Sequence, residues 1–100
     1  MSKRHIIFHR LIQKDLNSIV RYYNDESGIA LADRFYDTFI FSAKKTLEHP
    51  ERCHSIHSYY RRARVEGFPY HFLYKETAHG IRILVLRHDK RRPTYGLSRK

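Results

Sequence analysis

The short run His5-Ile6-Ile7-Phe8 is β-branched and aromatic, which predicts a first strand. Beyond it the apolar period changes. Ile12, Leu16, Ile19, Val20 and Tyr23 fall at i, i+4, i+7, i+8 and i+11, one stripe of a helix from about Leu11 to about Asn24. Asp25-Glu26-Ser27-Gly28 then supplies turn formers that break the pattern, with Ser27 the expected N-cap of a second helix beginning near Ile29. There Ala32, Phe35, Phe39, Ala43 and Leu47 recur at spacings of three and four, with Tyr36 and Ile40 widening the stripe. Pro50 disfavours a helical conformation in the residue before it, so this helix ends at or before His49. A short connection between two such helices predicts an antiparallel hairpin that buries one broad face.

Glu51 to Ser58 shows no period and reads as a surface connection. Three strands are predicted after it: Tyr59 to Val65, Phe68 to Glu76 and Ile81 to Arg87, separated by Glu66-Gly67 and Thr77-Ala78-His79-Gly80. Ile83 to Leu86 is apolar without alternation, which places the third strand inside the sheet. The order β-α-α-β-β-β defines an α+β fold: a small, mostly antiparallel sheet with an N-terminal strand and the helical hairpin packed on one face. The other face is then open to carry function.

At 100 residues and 41% hydrophobic the chain reads as one domain, residues 1–100, with a single core. A lone cysteine, Cys53, forms no internal disulfide, and neither a signal-peptide core nor a run of about 20 apolar residues occurs, so a cytoplasmic location and no membrane are expected. The net charge is +10 and unevenly spread. From Tyr59 onward 11 Lys and Arg face 3 Asp and Glu, whereas residues 1–58 carry 9 against 7. Such polarisation argues for an acidic or polyanionic partner, nucleic acid or protein.

Asp15-Leu16, Ile19 and Tyr22-Tyr23 in the first helix, then Ser27, Ala32 and Arg34-Phe35, then Leu47 and Pro50, stand in a recognisable order. Arg64, Phe68-Pro69-Tyr70, Tyr74 and the ending His88, Arg91, Pro93, Tyr95 continue it. Together they resemble the ParE/RelE superfamily of bacterial toxins from type II toxin–antitoxin modules, the ParE branch more than the RelE branch. The resemblance implies a growth-inhibiting toxin of the kind associated with plasmid stabilisation. ParE-like members block DNA gyrase with no known enzymatic step; RelE-like members cleave mRNA on the ribosome. It also implies a cognate antitoxin that wraps the toxin with an extended, acidic, partly disordered segment. Two positions depart from the ParE pattern: Asp89 stands where Gly usually follows the histidine, and Gly96 where Trp follows the final tyrosine. A member of reduced toxicity is therefore a third reading.

Metal-free RNA cleavage needs a base for the 2′-hydroxyl, a cation for the phosphate and an acid for the leaving oxygen. Arg62 and Arg64 share one face of their strand, His71 and Leu73 one face of theirs, and His88, Arg91 and Tyr95 follow closely enough to reach the same side. Arginine is a poor proton acceptor, so the candidate bases under the RelE-like alternative are His71 and His88. The resemblance implies Tyr95 as a third candidate catalytic residue, since Arg62, Arg64, His71, Arg91 and Tyr95 fall where RelE-like enzymes place their basic and tyrosine residues. Under either reading Arg62, Arg64, Arg91, Arg92 and Tyr95 are candidates for binding the target or a polyanion, since guanidinium forks suit phosphate and carboxylate. Tyr70 and Tyr74 alternate with Phe72 and are expected in the core, whereas Tyr60 and Tyr95 are expected at the surface. Cys53, His54 and His57 supply at most three ligands from a loop, so no metal site is assigned. No phosphate-binding glycine loop or serine nucleophile motif occurs, and no cofactor is expected.

Overall fold

The computed structural model describes residues 3–57 and 60–100, the side chains of Ile56 and His57 excepted, so that Tyr59 of the predicted Tyr59–Val65 strand lies outside the described residues. In chain order come β1 (His5–Phe8), α1 (Ile12–Ser27), α2 (Ile29–Glu48), a 3-10 turn (Pro50–Arg52), β2 (Ser55–His57), β3 (Tyr60–Val65), β4 (Tyr70–Thr77) and β5 (Gly80–His88). The sheet order is β1-β5-β4-β3-β2. β1 runs parallel to β5 and the remaining pairs are antiparallel, so β5 lies inside the sheet as its apolar run requires.

The turn from β1 into α1 is made at His9, whose buried ring accepts the Leu11 N–H at Nδ1 (3.1 Å) while its carbonyl accepts Ile12 N–H (2.9 Å). Burial, then the charges of Arg82, Arg99 and Arg10, hold this ring below the ordinary histidine pKa. Ile12, Leu16 and Ile19 are buried as the stripe predicts. They meet Phe35, Phe39 and Ala43 of α2 and Ala63, Val65, Tyr70, Phe72, Tyr74, Ile81, Ile83 and Leu86 of the sheet in one core. Tyr23, Phe35, Phe68 and Tyr70 form an aromatic cluster with centroids 5.0–6.1 Å apart, mostly edge-on. Tyr74 is fully buried, and its hydroxyl donates to the Pro50 carbonyl (2.5 Å), tying the end of the hairpin to the sheet.

The structure corrects four expectations. α1 does not stop at Asn24, and Ser27 is its last residue, not a cap. Exposed Asp and Glu do not break a helix, and the connection is Gly28 alone, at φ 94 and ψ 169, a conformation only glycine adopts at little cost. Tyr36 is 46% exposed and lies outside the apolar stripe. Within the supposed loop, Ser55–His57 pairs with β3 as an edge strand, too short to show a period of two. The sheet face away from the helices is not open: the C-terminal tail after β5 folds back over it.

That covering is tight. Leu73, Leu84 and Val85 are fully buried yet stand apart from the main core. Gly96, at φ 85, lies so close that a Cβ there would come within 2.6 Å of Val85 Cγ2. A bulge makes the second small core possible: Leu73 pairs with Val85 but Tyr74 with Ile83, leaving Leu84 unmatched. Ile83 and Leu86 therefore both reach the helix side, which strict alternation forbids.

Candidate functional site

Past the end of β1, the Leu84 carbonyl and the Leu86 amide have no strand to pair with. Arg99 Nη1 donates to the first (3.2 Å) and Asp15 Oδ2 accepts from the second (3.1 Å). The two side chains also join in a bidentate pair, Nη1 to Oδ2 at 2.6 Å and Nη2 to Oδ1 at 2.8 Å. Arg99 is held above its ordinary pKa, first by the Asp15 hydrogen bond, which outweighs its burial. Asp15 thus serves the end of the tail, and its charge is compensated within the fold.

The tail is held a second time by Arg87. Its Nη1 donates to the carbonyls of Pro93 and Tyr95 (2.8 Å each), and its Nε donates to His71 Nε2 (2.9 Å). His71 must therefore carry its proton on Nδ1, which donates to Asp89 Oδ1 (2.8 Å), and the same oxygen accepts from Arg62 Nη2 (3.3 Å). The chain Arg62–Asp89–His71–Arg87 runs from the sheet to the tail backbone. Burial lowers the His71 pKa, and the charges of Arg62 and Arg87 act in the same direction against the Asp89 hydrogen bond. Burial raises that of Asp89, but the His71 bond and the charges of His71, Arg62 and Arg64 outweigh it and hold the carboxyl below its ordinary value.

The predicted residues separate into two groups. Arg62 and His71 face a hollow of about 370 Å³ with Arg87, Asp89, Arg91, Pro93, Thr94 and Leu97. Arg64 is paired with His71 in register but is exposed, and it lines a different hollow beside α2. His88 and Tyr95 lie elsewhere, in a groove of about 330 Å³ that α1 makes with the sheet and tail. The reason is the strand period: Arg87 opposes His71, so His88 opposes Tyr70 on the helix side, the two rings edge to face at 5.0 Å. The expectation that His88 and Tyr95 reach the same side as His71 is corrected accordingly. Arg91 touches both hollows, with its guanidinium 4.0 Å over the Tyr95 ring, and Arg92 is exposed. His88 Nδ1 accepts from the Lys90 N–H (3.0 Å), which leaves its proton on Nε2.

Neither histidine offers an unoccupied basic nitrogen. His71 is buried at 2% exposure with both ring nitrogens engaged, not the accessible base that the RelE-like alternative requires. Asp89, which departs from the ParE pattern, bridges Arg62 to His71. Sequence reasoning missed Arg87, Arg99, Lys14, Ser18 and Arg21. Arg87 continues an apolar run and Arg99 lies 84 residues from Asp15, so no local signal marks either. Lys14, Ser18 and Arg21 do share a helix face, but an ordinary solvated face has that composition. Among the described residues no group of three or more His, Cys, Asp or Glu side chains could hold a metal ion, and no helix is long and apolar enough to cross a membrane.

The two-helix hairpin on a mixed sheet has a counterpart among solved structures. A solved structure described as the chromosomal ParDE toxin–antitoxin system from P. aeruginosa superposes with a TM-score of 0.75 at 17% identity, covering 85% of this chain and 95% of that one. No curated protein matches the sequence significantly. The family model for the ParE toxin of the type II toxin–antitoxin system parDE matches residues 6–93. The chain belongs to that family, and membership implies a cognate antitoxin as partner.

Proposed function

We propose that this toxin inhibits DNA gyrase by binding, with no enzymatic step of its own, and that its antitoxin neutralises it through an acidic, partly disordered segment. The observation that carries this reading is the engagement of both candidate bases. A general base needs a lone pair facing its substrate; that of His71 is taken by Arg87 and that of His88 by the Lys90 amide. Cleavage at either ring would first have to break a bond that shapes the tail. Binding needs no such rearrangement, since Arg64, Arg91 and Arg92 are exposed and ready to engage an anionic surface. The antitoxin reading rests on the net charge of +10 and on exposed Ile29, Tyr36 and Phe41 of α2, which offer apolar anchors to a peptide that folds on binding.

The test pairs two assays. Purified chain added to gyrase, ATP and relaxed plasmid should block supercoiling, with antitoxin restoring it. Primer extension on cellular mRNA after induction should show intact transcripts beside arrested growth. Codon-phased cuts that disappear in His88→Ala and Tyr95→Phe would replace this reading with a ribosome-dependent mRNA endonuclease.

A further inference from the structure

We propose that the groove between α1 and the C-terminal tail binds the sugar–phosphate backbone of a nucleic-acid single strand. On α1, Lys14, Ser18 and Arg21 stand at i, i+4 and i+7, one exposed face, with Lys14 and Arg21 roughly 10 Å apart along the axis at 1.5 Å per residue. Facing Lys14 and Ser18 across a hollow of about 330 Å³ are Arg91 and Tyr95 of the tail, and Tyr22 lines the same hollow. A second, shallower hollow of about 450 Å³, lined by Lys14, Asn17, Ser18 and Arg21, adjoins the first around the outer face of the same helical turns and shares Lys14 and Ser18 with it, so Arg21 extends the cationic channel at its edge.

The charges of this channel are unspent. Among the described residues the ion pairs within 4.0 Å are His49–Glu51, Arg61–Glu76, Arg62–Asp89, His71–Asp89 and Arg99–Asp15. Lys14, Arg21 and Arg91 are in none of them. The one carboxylate lining the channel, Asp15, is held bidentately by Arg99 and repels an incoming anion little. Cations interleaved with hydroxyls along a concave track are what a single strand requires, with phosphates on the cations and a base against the exposed Tyr22 ring, while the Tyr95 ring holds the Arg91 guanidinium in place at 4.0 Å. An acidic peptide that folds on binding also needs several apolar anchors, but of the large exposed apolar side chains only Tyr22 lines this channel, whereas Ile29, Tyr36 and Phe41 lie on α2 and Ile7 and Phe8 on β1, outside it. The concavity suits a single strand better than the convex flank of a duplex. Binding here is independent of the gyrase reading, because no gyrase is needed to observe it.

The experiment is fluorescence anisotropy of a labelled 20-nucleotide single strand titrated with the purified chain over a salt series. Lys14→Ala/Arg21→Ala/Arg91→Ala should weaken binding at least tenfold and reduce the slope of log K against log salt by about 2 to 3, near one for each phosphate left without its cation. Lys44→Ala/Lys45→Ala on α2 should shift affinity less than threefold. All the substituted side chains are exposed, so each variant should keep the circular dichroism spectrum of the parent chain. Equal losses in the two variants would reduce the effect to net charge and overturn the proposal. So would tighter binding of a matching duplex, or of a polyglutamate peptide of similar length, with the same dependence on Lys14, Arg21 and Arg91.

Discussion

Asp15 and Arg99 show how one residue pair can close a sheet. Their bidentate bond is largely withdrawn from water, and each also completes a backbone group at the β5 bulge. Removing one partner of a buried pair leaves an uncompensated charge and costs about 3–5 kcal/mol. Arg99→Ala should therefore lower the unfolding free energy, measured by urea titration, by an amount in that range. Asp15→Ala/Arg99→Ala should recover only part of it, because the Leu86 amide and Leu84 carbonyl lose their partners too. His71 supports a second prediction at this scale. Its pKa and that of His9 are lowered in the fold, so between about pH 6.5 and the folded-state values the unfolded chain binds more protons. Stability should fall as pH drops from 7.5 to 5.5, and His71→Gln should flatten that fall in urea titrations. Asp89 acts lower on the scale: its pKa is depressed, so its contribution is fully present above about pH 3.9, the unfolded value, and is lost as pH falls through the folded one.

The element that decides this molecule is one without regular structure. Residues 89–100 are a succession of turns, joined by Arg91 N–H to His88, Tyr95 to Arg92, Leu97 to Thr94 and Arg99 to Gly96. They cover a sheet face that would otherwise expose Leu73 and Val85. Among the contacts that hold them are the Arg87 hydrogen bonds, the Asp15–Arg99 pair, the Arg82 Nη2 bond to the Lys100 carbonyl and the approach of Gly96 to Val85. A methyl group at position 96 meets both a clash and an unfavourable φ, so Gly96→Ala should destabilise the fold by about 1–3 kcal/mol. Amide hydrogen exchange in this variant should be faster at Leu86, whose acceptor depends on the seated tail. Equal protection at Leu86 in both proteins would mean that the tail is not what holds it.

Across the whole molecule charge is segregated. The helical hairpin carries acidic and basic groups together, while the sheet and tail from Tyr59 onward hold +8 of the net +10. Exposed Arg91 and Arg92 extend this field into solvent and should steer an acidic antitoxin, an effect that weakens as the Debye length shrinks from ~10 Å at 0.1 M salt to ~3 Å at 1 M. Arg91→Glu/Arg92→Glu should slow association with the antitoxin in stopped-flow and flatten its salt dependence. The fold should survive, since neither side chain holds an ion pair among the described residues.

What the sequence determined by itself are the features written in local periods: the helical stripes of Ile12 to Tyr23 and Ala32 to Leu47, the hairpin strands, the interior position of β5 and the core tyrosines Tyr70 and Tyr74. Each follows from a spacing of two, a spacing of three to four, or in β5 an unbroken apolar run, all of which a single segment displays unaided. The continuation of α1 to Ser27 and the strand at Ser55–His57 escaped because exposed polar residues and a three-residue edge carry no period. Only the tertiary structure decided which side of the sheet His71 and His88 occupy, that Asp89 bridges Arg62 to His71, and that Arg99 reaches Asp15. Those facts depend on one unmatched residue at Leu84 and on a tail that returns across the sheet, joining positions up to 84 apart that no local pattern encodes.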